Sequence, residues 1–240
     1  MQYRGSDAVL SLAFAGTSDG WALAVPAAEV PACSRPLPAQ FQGQVLLATS
    51  DGGQRWGVVD PQANGIDSLY FTAAGGWAGS STCASPSAGA ASCRGALLHS
   101  TDGGRHWQAV PGADPGGLPV IAITGNGQDL WALEAGPGGV GSPGDPTGVV
   151  RVVRSTDGGS SWKTAGRLPL QHPRQTAGAV GSLVFASATR GWATVRAVSS
   201  CAMAGCGTDA VLQTTDAGQT WTPVTAGQPR CDVARVGRGG

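Results

Sequence analysis

The chain is poor in several of the residues on which catalysis and membrane insertion usually depend. It has one lysine, Lys163, against fourteen arginines, two glutamates, Glu29 and Glu134, two tyrosines and three histidines. No apolar run approaches 18 residues, so the sequence contains no membrane-spanning helix. No stretch of a dozen residues keeps a helical apolar period, so almost no helix is expected. Charged residues make up 12% and the formal net charge is zero, a balance that offers no electrostatic footprint for nucleic acid or an anionic membrane. With 41% hydrophobic residues over 240 positions, the chain can bury a sizeable core and is no solvated, disordered polymer. What it has in abundance is glycine, 39 residues, together with 16 prolines and eight tryptophans. That mixture suits many short strands joined by tight turns. The strong preference for arginine over lysine, with much alanine and glycine, points to a GC-rich bacterial source.

The tryptophans carry the organisation. Four of them end closely similar segments: TSDGGQRW at Trp56, STDGGRHW at Trp107, STDGGSSW at Trp162 and TTDAGQTW at Trp221. All fit Ser/Thr-x-Asp-x-Gly-x-x-Trp, with the aspartates Asp51, Asp102, Asp157 and Asp216 spaced 51, 55 and 59 residues apart. In isolation the second segment reads as a site, with Asp102 and His106 as an acid–base pair and Arg105 as an anion holder. Its siblings place Gln54 and Arg55, Ser160 and Ser161, or Gln219 and Thr220 there instead. The shared element is therefore turn chemistry. Aspartate accepts backbone N–H groups of its own turn, Gly53, Gly104, Gly159 and Gly218 supply a positive φ, and the tryptophan returns into the sheet. The other four tryptophans, Trp21, Trp77, Trp131 and Trp192, each follow a short alternating apolar run and a polar or glycine-bearing turn, as in SLYFTAAGGWAG. Each repeat then reads as four strands; in the second they fall at 67–71, 76–80, 95–101 and 106–110. Four-stranded antiparallel units repeated in this way are the blades of an all-β propeller. The expected organisation is one domain over 1–240 with repeats near 7–60, 65–111, 117–168 and 178–225. Residues 226–240 form a tail or begin a further blade. A closed four-blade disc, half of a dimeric eight-blade ring and part of a longer protein all fit this count.

The Ser/Thr-x-Asp-x-Gly-x-x-Trp segments resemble the Asp-box, or bacterial neuraminidase repeat, of sialidase-like propellers. The SLxF…GWA units resemble the repeats of the photosystem II stability and assembly factor type. Sortilin-type receptors and several glycosidases carry similar boxes. The resemblance implies a propeller with structural box aspartates. A sialidase would further require an arginine triad, a tyrosine nucleophile with a glutamate partner and an acidic donor. Only Tyr3 and Tyr70 are available, and no Arg-Ile-Pro segment precedes the first box, so sialidase activity is not expected.

Six cysteines allow 15 connectivities. Cys83 and Cys93, and likewise Cys201 and Cys206, lie between the second and third strands of their repeats, which favours two local bridges. Cys33 and Cys231 would then tie the ends of the propeller together. Such pairing implies an oxidising, extracytoplasmic location; six reduced thiols are the alternative. The spacings are not those of a zinc site, and neither a metal nor another cofactor is expected. AVLSLAFAG, residues 8–16, has the length of a signal core, yet it aligns with the first strand of the other repeats and follows Asp7. It is expected to be a strand, with any signal or anchor lying elsewhere.

In an up-and-down blade the boxes share one face of the disc, while the irregular loops share the other. Binding residues usually sit on variable loops of a rigid scaffold. Arg167, His172 and Arg174 form the densest polar group there, with Glu134, Asp145 and Arg35 as candidate neighbours. The expected function is a non-catalytic binding or assembly scaffold for a protein or glycan ligand. The alternative is a glycoside hydrolase or carbohydrate-binding module, for which Glu134 and Asp145 would be the carboxylates.

Overall fold

The computed structural model describes residues 7–26, 43–83, 93–111, 118–135, 150–169, 180–195 and 210–224. They form sixteen strands in four antiparallel sheets, and no helix occurs among the described residues. Blade 1 comprises β1 (Asp7–Ala15), β2 (Asp19–Pro26), β3 (Val45–Thr49) and β4 (Gly57–Asp60). Blade 2 comprises β5 (Ile66–Thr72), β6 (Gly75–Cys83), β7 (Cys93–Ser100) and β8 (Gln108–Ala109). Blade 3 comprises β9 (Val120–Asn126), β10 (Asp129–Ala135), β11 (Val150–Ser155) and β12 (Lys163–Leu168). Blade 4 comprises β13 (Val180–Phe185), β14 (Gly191–Val195), β15 (Ala210–Thr214) and β16 (Thr222–Val224). In every sheet the strands are hydrogen-bonded in sequence order, and the four sheets make a four-blade β-propeller. Residues 8–15 lie in β1, the strand expected for them. The fourth strand of blade 2 is shorter than the sequence suggests, because the His106 N–H is used by the box turn rather than by the ladder.

In blades 1, 2 and 4 the first hairpin is set by a ring lying on a glycine. Phe14 pairs with Gly20, Phe71 with Gly76 and Phe185 with Gly191. A methyl group on Gly20 would come within 2.5 Å of the Phe14 ring, and one on Gly191 within 2.8 Å of Phe185. Only glycine leaves room for the ring there. Blade 3 reverses the arrangement, since Gly125 stands where the others have phenylalanine and Leu130 where they have glycine. The Leu130 side chain covers Gly125.

The core lies between blades. Trp21 of blade 1 stacks on Phe71 of blade 2 at 3.9 Å, and Trp131 of blade 3 stacks on Phe185 of blade 4 at 3.8 Å. Their indole N–H groups donate to the carbonyls of Gly103 and Ala217 in the next blade's box. Between blades 2 and 3 the reversed pair changes the partner, and Trp77 packs in a cluster with Leu130, Ile123 and Val153. Each junction thus covers one sheet face of each neighbour, which no single blade could do alone. The first strands follow one another around the molecule, β1 against β5, β5 against β9 and β9 against β13; β13 and β1 share no comparable packing among the described residues.

Candidate functional site

The four boxes share one hydrogen-bond scheme. In the first, the Thr49 hydroxyl donates to Asp51 Oδ1 at 2.8 Å and accepts the N–H of Gly53 at 3.0 Å. Ser100, Ser155 and Thr214 do the same for Asp102 and Gly104, Asp157 and Gly159, and Asp216 and Gly218. The same Oδ1 accepts the backbone N–H four residues on, from Arg55, His106, Ser161 and Thr220 at 2.9–3.0 Å. The glycines that close the turns have φ of +91°, +88°, +92° and +93°, beyond the range in which a side chain is comfortable. The preceding residue is also left-handed, and in the fourth box it is Ala217, at φ +64°. Trp56, Trp162 and Trp221 donate their indole N–H to the carbonyl of the box glycine at 3.0 Å, whereas the buried Trp107 N–H has no acceptor among the described residues.

One shared contact escapes a reading of the sequence. The residue four positions after each aspartate is Arg, His, Ser or Thr, a set with no obvious common chemistry. Yet Ser161 Oγ and Thr220 Oγ1 each donate to the second carboxylate oxygen at 2.5 Å, and His106 Nδ1 lies 2.5 Å from the same oxygen of Asp102. The Asp102–His106 pair that looks catalytic in isolation is therefore one version of a contact that hydroxyls make elsewhere. Arg55 hydrogen-bonds through its backbone and adds the pull of its charge. The signal was available, because all four residues at that position carry a side-chain donor, and three of them turn it on the aspartate.

These bonds keep the aspartates ionised. Asp102 is held well below the usual carboxylate range by the His106 backbone N–H and then its side chain. Asp157 is lowered to about 2 by the Ser161 and Ser155 hydroxyls. Asp51 is lowered by the Arg55 N–H and the Thr49 hydroxyl. For Asp216 burial pulls upward, but the Thr220 and Thr214 hydrogen bonds prevail and the net shift is downward. An acid that must deliver a proton near neutral pH needs the opposite shift.

Glu134, which the sequence places as a neighbour of the ligand-binding loops, is buried within β10. Its carboxylate pairs with Arg151 across the β10–β11 ladder at 2.5 Å. Arg167 is exposed on β12, beside Arg151 in register. His172, Arg174, Asp145, Arg35, Cys33, Cys201, Cys206 and Cys231 lie outside the described residues. Cys83 and Cys93 are direct register partners at the ends of β6 and β7. Among the described residues no cluster of three or more His, Cys, Asp or Glu is placed to hold a metal. No helix there is long and apolar enough to cross a membrane.

Two clefts open on the box side. One, of about 350 Å³, lies between blades 3 and 4, where Arg154, Ser161, Lys163, Thr164 and Gln219 line it. The other, of about 240 Å³, lies between blades 2 and 3 beside Trp77, His99 and Gly159. Both fall between a fourth strand and the next blade's box, so they repeat with the architecture. In the larger one Arg154 is already engaged, bonded to Asp129 at 2.6 Å and lying 5.2 Å from the Trp131 ring centroid.

No protein-family model and no curated protein matches this sequence. Solved structures do. A Dyadobacter fermentans protein of unknown function is 15% identical with a TM-score of 0.58, over 92% of this chain and 70% of that one. An α-L-arabinofuranosidase from Fusarium graminearum, in complex with an iminosugar inhibitor, is 12% identical with a TM-score of 0.51, over 92% and 68%. A mutant Trypanosoma rangeli sialidase displaying trans-sialidase activity is 12% identical with a TM-score of 0.52, over 91% of this chain but only 37% of that one. At such identities the likeness is one of architecture, and architecture does not fix activity. The chain has the sialidase-like β-propeller fold.

Proposed function

We propose that this propeller is a non-catalytic, extracytoplasmic scaffold that binds a protein or glycan ligand through the irregular loops opposite its boxes. The observation that carries the reading is the state of the carboxylates. A two-carboxylate glycosidase needs an acid with a raised pKa and a second carboxylate facing the same channel. The box aspartates are instead engaged as acceptors by their own turns, with every shift downward, and Glu134 is committed to Arg151. Loops carried on packed blades can vary without disturbing the junctions beneath them, and Arg167 sits where the fourth strand of blade 3 runs toward one of them. Asp145 and the Arg167–His172–Arg174 group form the loop face in this proposal.

The test pairs a screen for polysaccharide hydrolysis with a screen for saturable binding to glycans and to candidate protein partners. Binding without turnover, abolished when 165–178 is replaced by a neutral loop, is the expected result. Turnover that disappears in Asp145→Asn, in a protein with unchanged melting temperature, would establish a hydrolase and overturn the scaffold reading.

A further inference from the structure

Every junction between blades is built from two half-surfaces. The leading blade presents its second-strand tryptophan, and at the 1–2 and 3–4 junctions the following blade receives it on a phenylalanine, the leucine two positions earlier and the box glycine; at the 2–3 junction Leu130, Ile123 and the box glycine take that place. The receiving residues are core in blades 2 and 4: Leu69 is 5% exposed and Leu183 8%, Phe71 3% and Phe185 4%. Their register equivalents in blade 1 are Leu12 at 57% and Phe14 at 41%, with Val9 exposed beside them. The box glycines repeat the contrast. Gly104 abuts Leu46, Gly159 abuts Trp77 and Gly218 abuts Val152, each from the blade before, whereas Gly53 meets only Trp56 and Phe14 of its own blade. At the other end, Trp192 occupies the position of the stacked Trp21 and Trp131 but has neither ring partner nor hydrogen bond among the described residues. Val184 beside it is exposed. Blade 1 thus ends in a receiving half and blade 4 in a presenting half.

We infer that a second copy of this chain fills both. Trp192 and Val184 of each copy seat on Phe14, Leu12 and Gly53 of the other, and the Trp192 indole N–H reaches the Gly52 carbonyl, the counterpart of Gly103 and Ala217. Two chains joined head to tail about a two-fold axis close a ring of eight blades, within the usual range for propellers. The four repeats take up all eight tryptophans of the sequence. A second copy supplies both missing halves at once, using a contact already made inside each chain. Self-closure would bring β13 against β1, and these strands do not pack as the other first strands do. The inference rests on the packing of the blades and stands apart from the ligand-binding proposal.

Sedimentation equilibrium tests it on the full chain under non-reducing and reducing conditions. Wild type is expected at twice the chain mass. Phe14→Asp and Trp192→Asp are each expected at one chain mass with the wild-type circular dichroism spectrum. Leu12→Arg, which leaves the Phe14 ring and its edge-on contact with Trp56 in place, provides the same reading if Phe14→Asp folds poorly. An equal mixture of Phe14→Asp and Trp192→Asp chains retains one intact junction and is expected to regain a two-chain species. A wild type of one chain mass, melting lower in both variants, would mean that the disc closes on itself and would overturn the inference. Open polymers, or a two-chain species that all these variants leave intact, would overturn it as well.

Discussion

Exchanging the ring and the glycine in the first hairpin of blade 4 would convert it into the arrangement of blade 3. Phe185 lies on Gly191, stacks on Trp131 at 3.8 Å and meets Trp221 edge-on at 6.1 Å. Phe185→Gly removes a buried ring and leaves a cavity, a loss of about 3–5 kcal/mol. Gly191→Leu alone drives a Cβ to 2.8 Å from three ring atoms, an overpacking cost of about 1–3 kcal/mol. Independent effects would sum to about 4–8 kcal/mol, comparable with the whole stability of a typical domain. In the double variant the leucine fills the space left by the ring, as Leu130 does over Gly125. A favourable coupling of about 2–3 kcal/mol is therefore expected. At about 2–4 °C per kcal/mol for a chain of this size, the double variant should melt several degrees above the additive value. Urea midpoints and thermal melts of the four proteins measure the cycle. Additive losses, or a double variant no better than Phe185→Gly, would refute the claim that ring-over-glycine and glycine-under-leucine are interchangeable solutions for one site.

Three further outcomes follow from the same geometry. Gly159→Ala places a methyl 2.7 Å from Trp77 Nε1 and 3.2 Å from Leu130 at φ +92°, so backbone strain and crowding together should cost about 2–4 kcal/mol, read as a lowered melting temperature. The folded-state pKa of Asp157, about 2, is below its unfolded value, so the stability it contributes is full above the unfolded pKa of about 4 and is lost as pH falls toward 2. Asp157→Asn should lower stability at neutral pH and flatten the pH dependence of unfolding between pH 5 and 2. Cys83 and Cys93 are backbone register partners in an antiparallel pair, where Cα atoms are about 4.5–5.5 Å apart, within the span of a disulfide. Non-reducing peptide mapping should recover that pair in protein from an oxidising compartment.

The architecture was legible because its two tryptophan sets and its Asp-Gly turns depend on local chemistry that must recur in every blade. Strand order, the box turns and the hairpin at 66–83 follow from that period and from alternation within each strand. What the sequence concealed depends on contacts between blades or between unlike residues. The reversal at Gly125 and Leu130 looks like a lapse in the SLxF pattern until the register shows that one residue fills the other's space. His106 looks unique until Ser161 and Thr220 are seen donating to the same carboxylate oxygen. Glu134 looks like a free acid at the end of an apolar strand, and only the pairing of β10 with β11 brings Arg151 to it. Nothing in the order of the repeats indicates that, among the described residues, Phe14 and Trp192 lack the partners their counterparts have, since that is a property of the assembled blades.

The account stands on the box aspartates being ionised turn acceptors with no proton to give. Carbon-13 NMR titration of the carboxyl groups, assigned through single Asp→Asn variants, measures this directly. Asp51, Asp102, Asp157 and Asp216 are all expected to titrate below the ordinary aspartate value, with Asp157 near 2. A box aspartate titrating between about pH 5 and 7, the range of a tuned general acid, would contradict the account and return the boxes to the list of catalytic candidates.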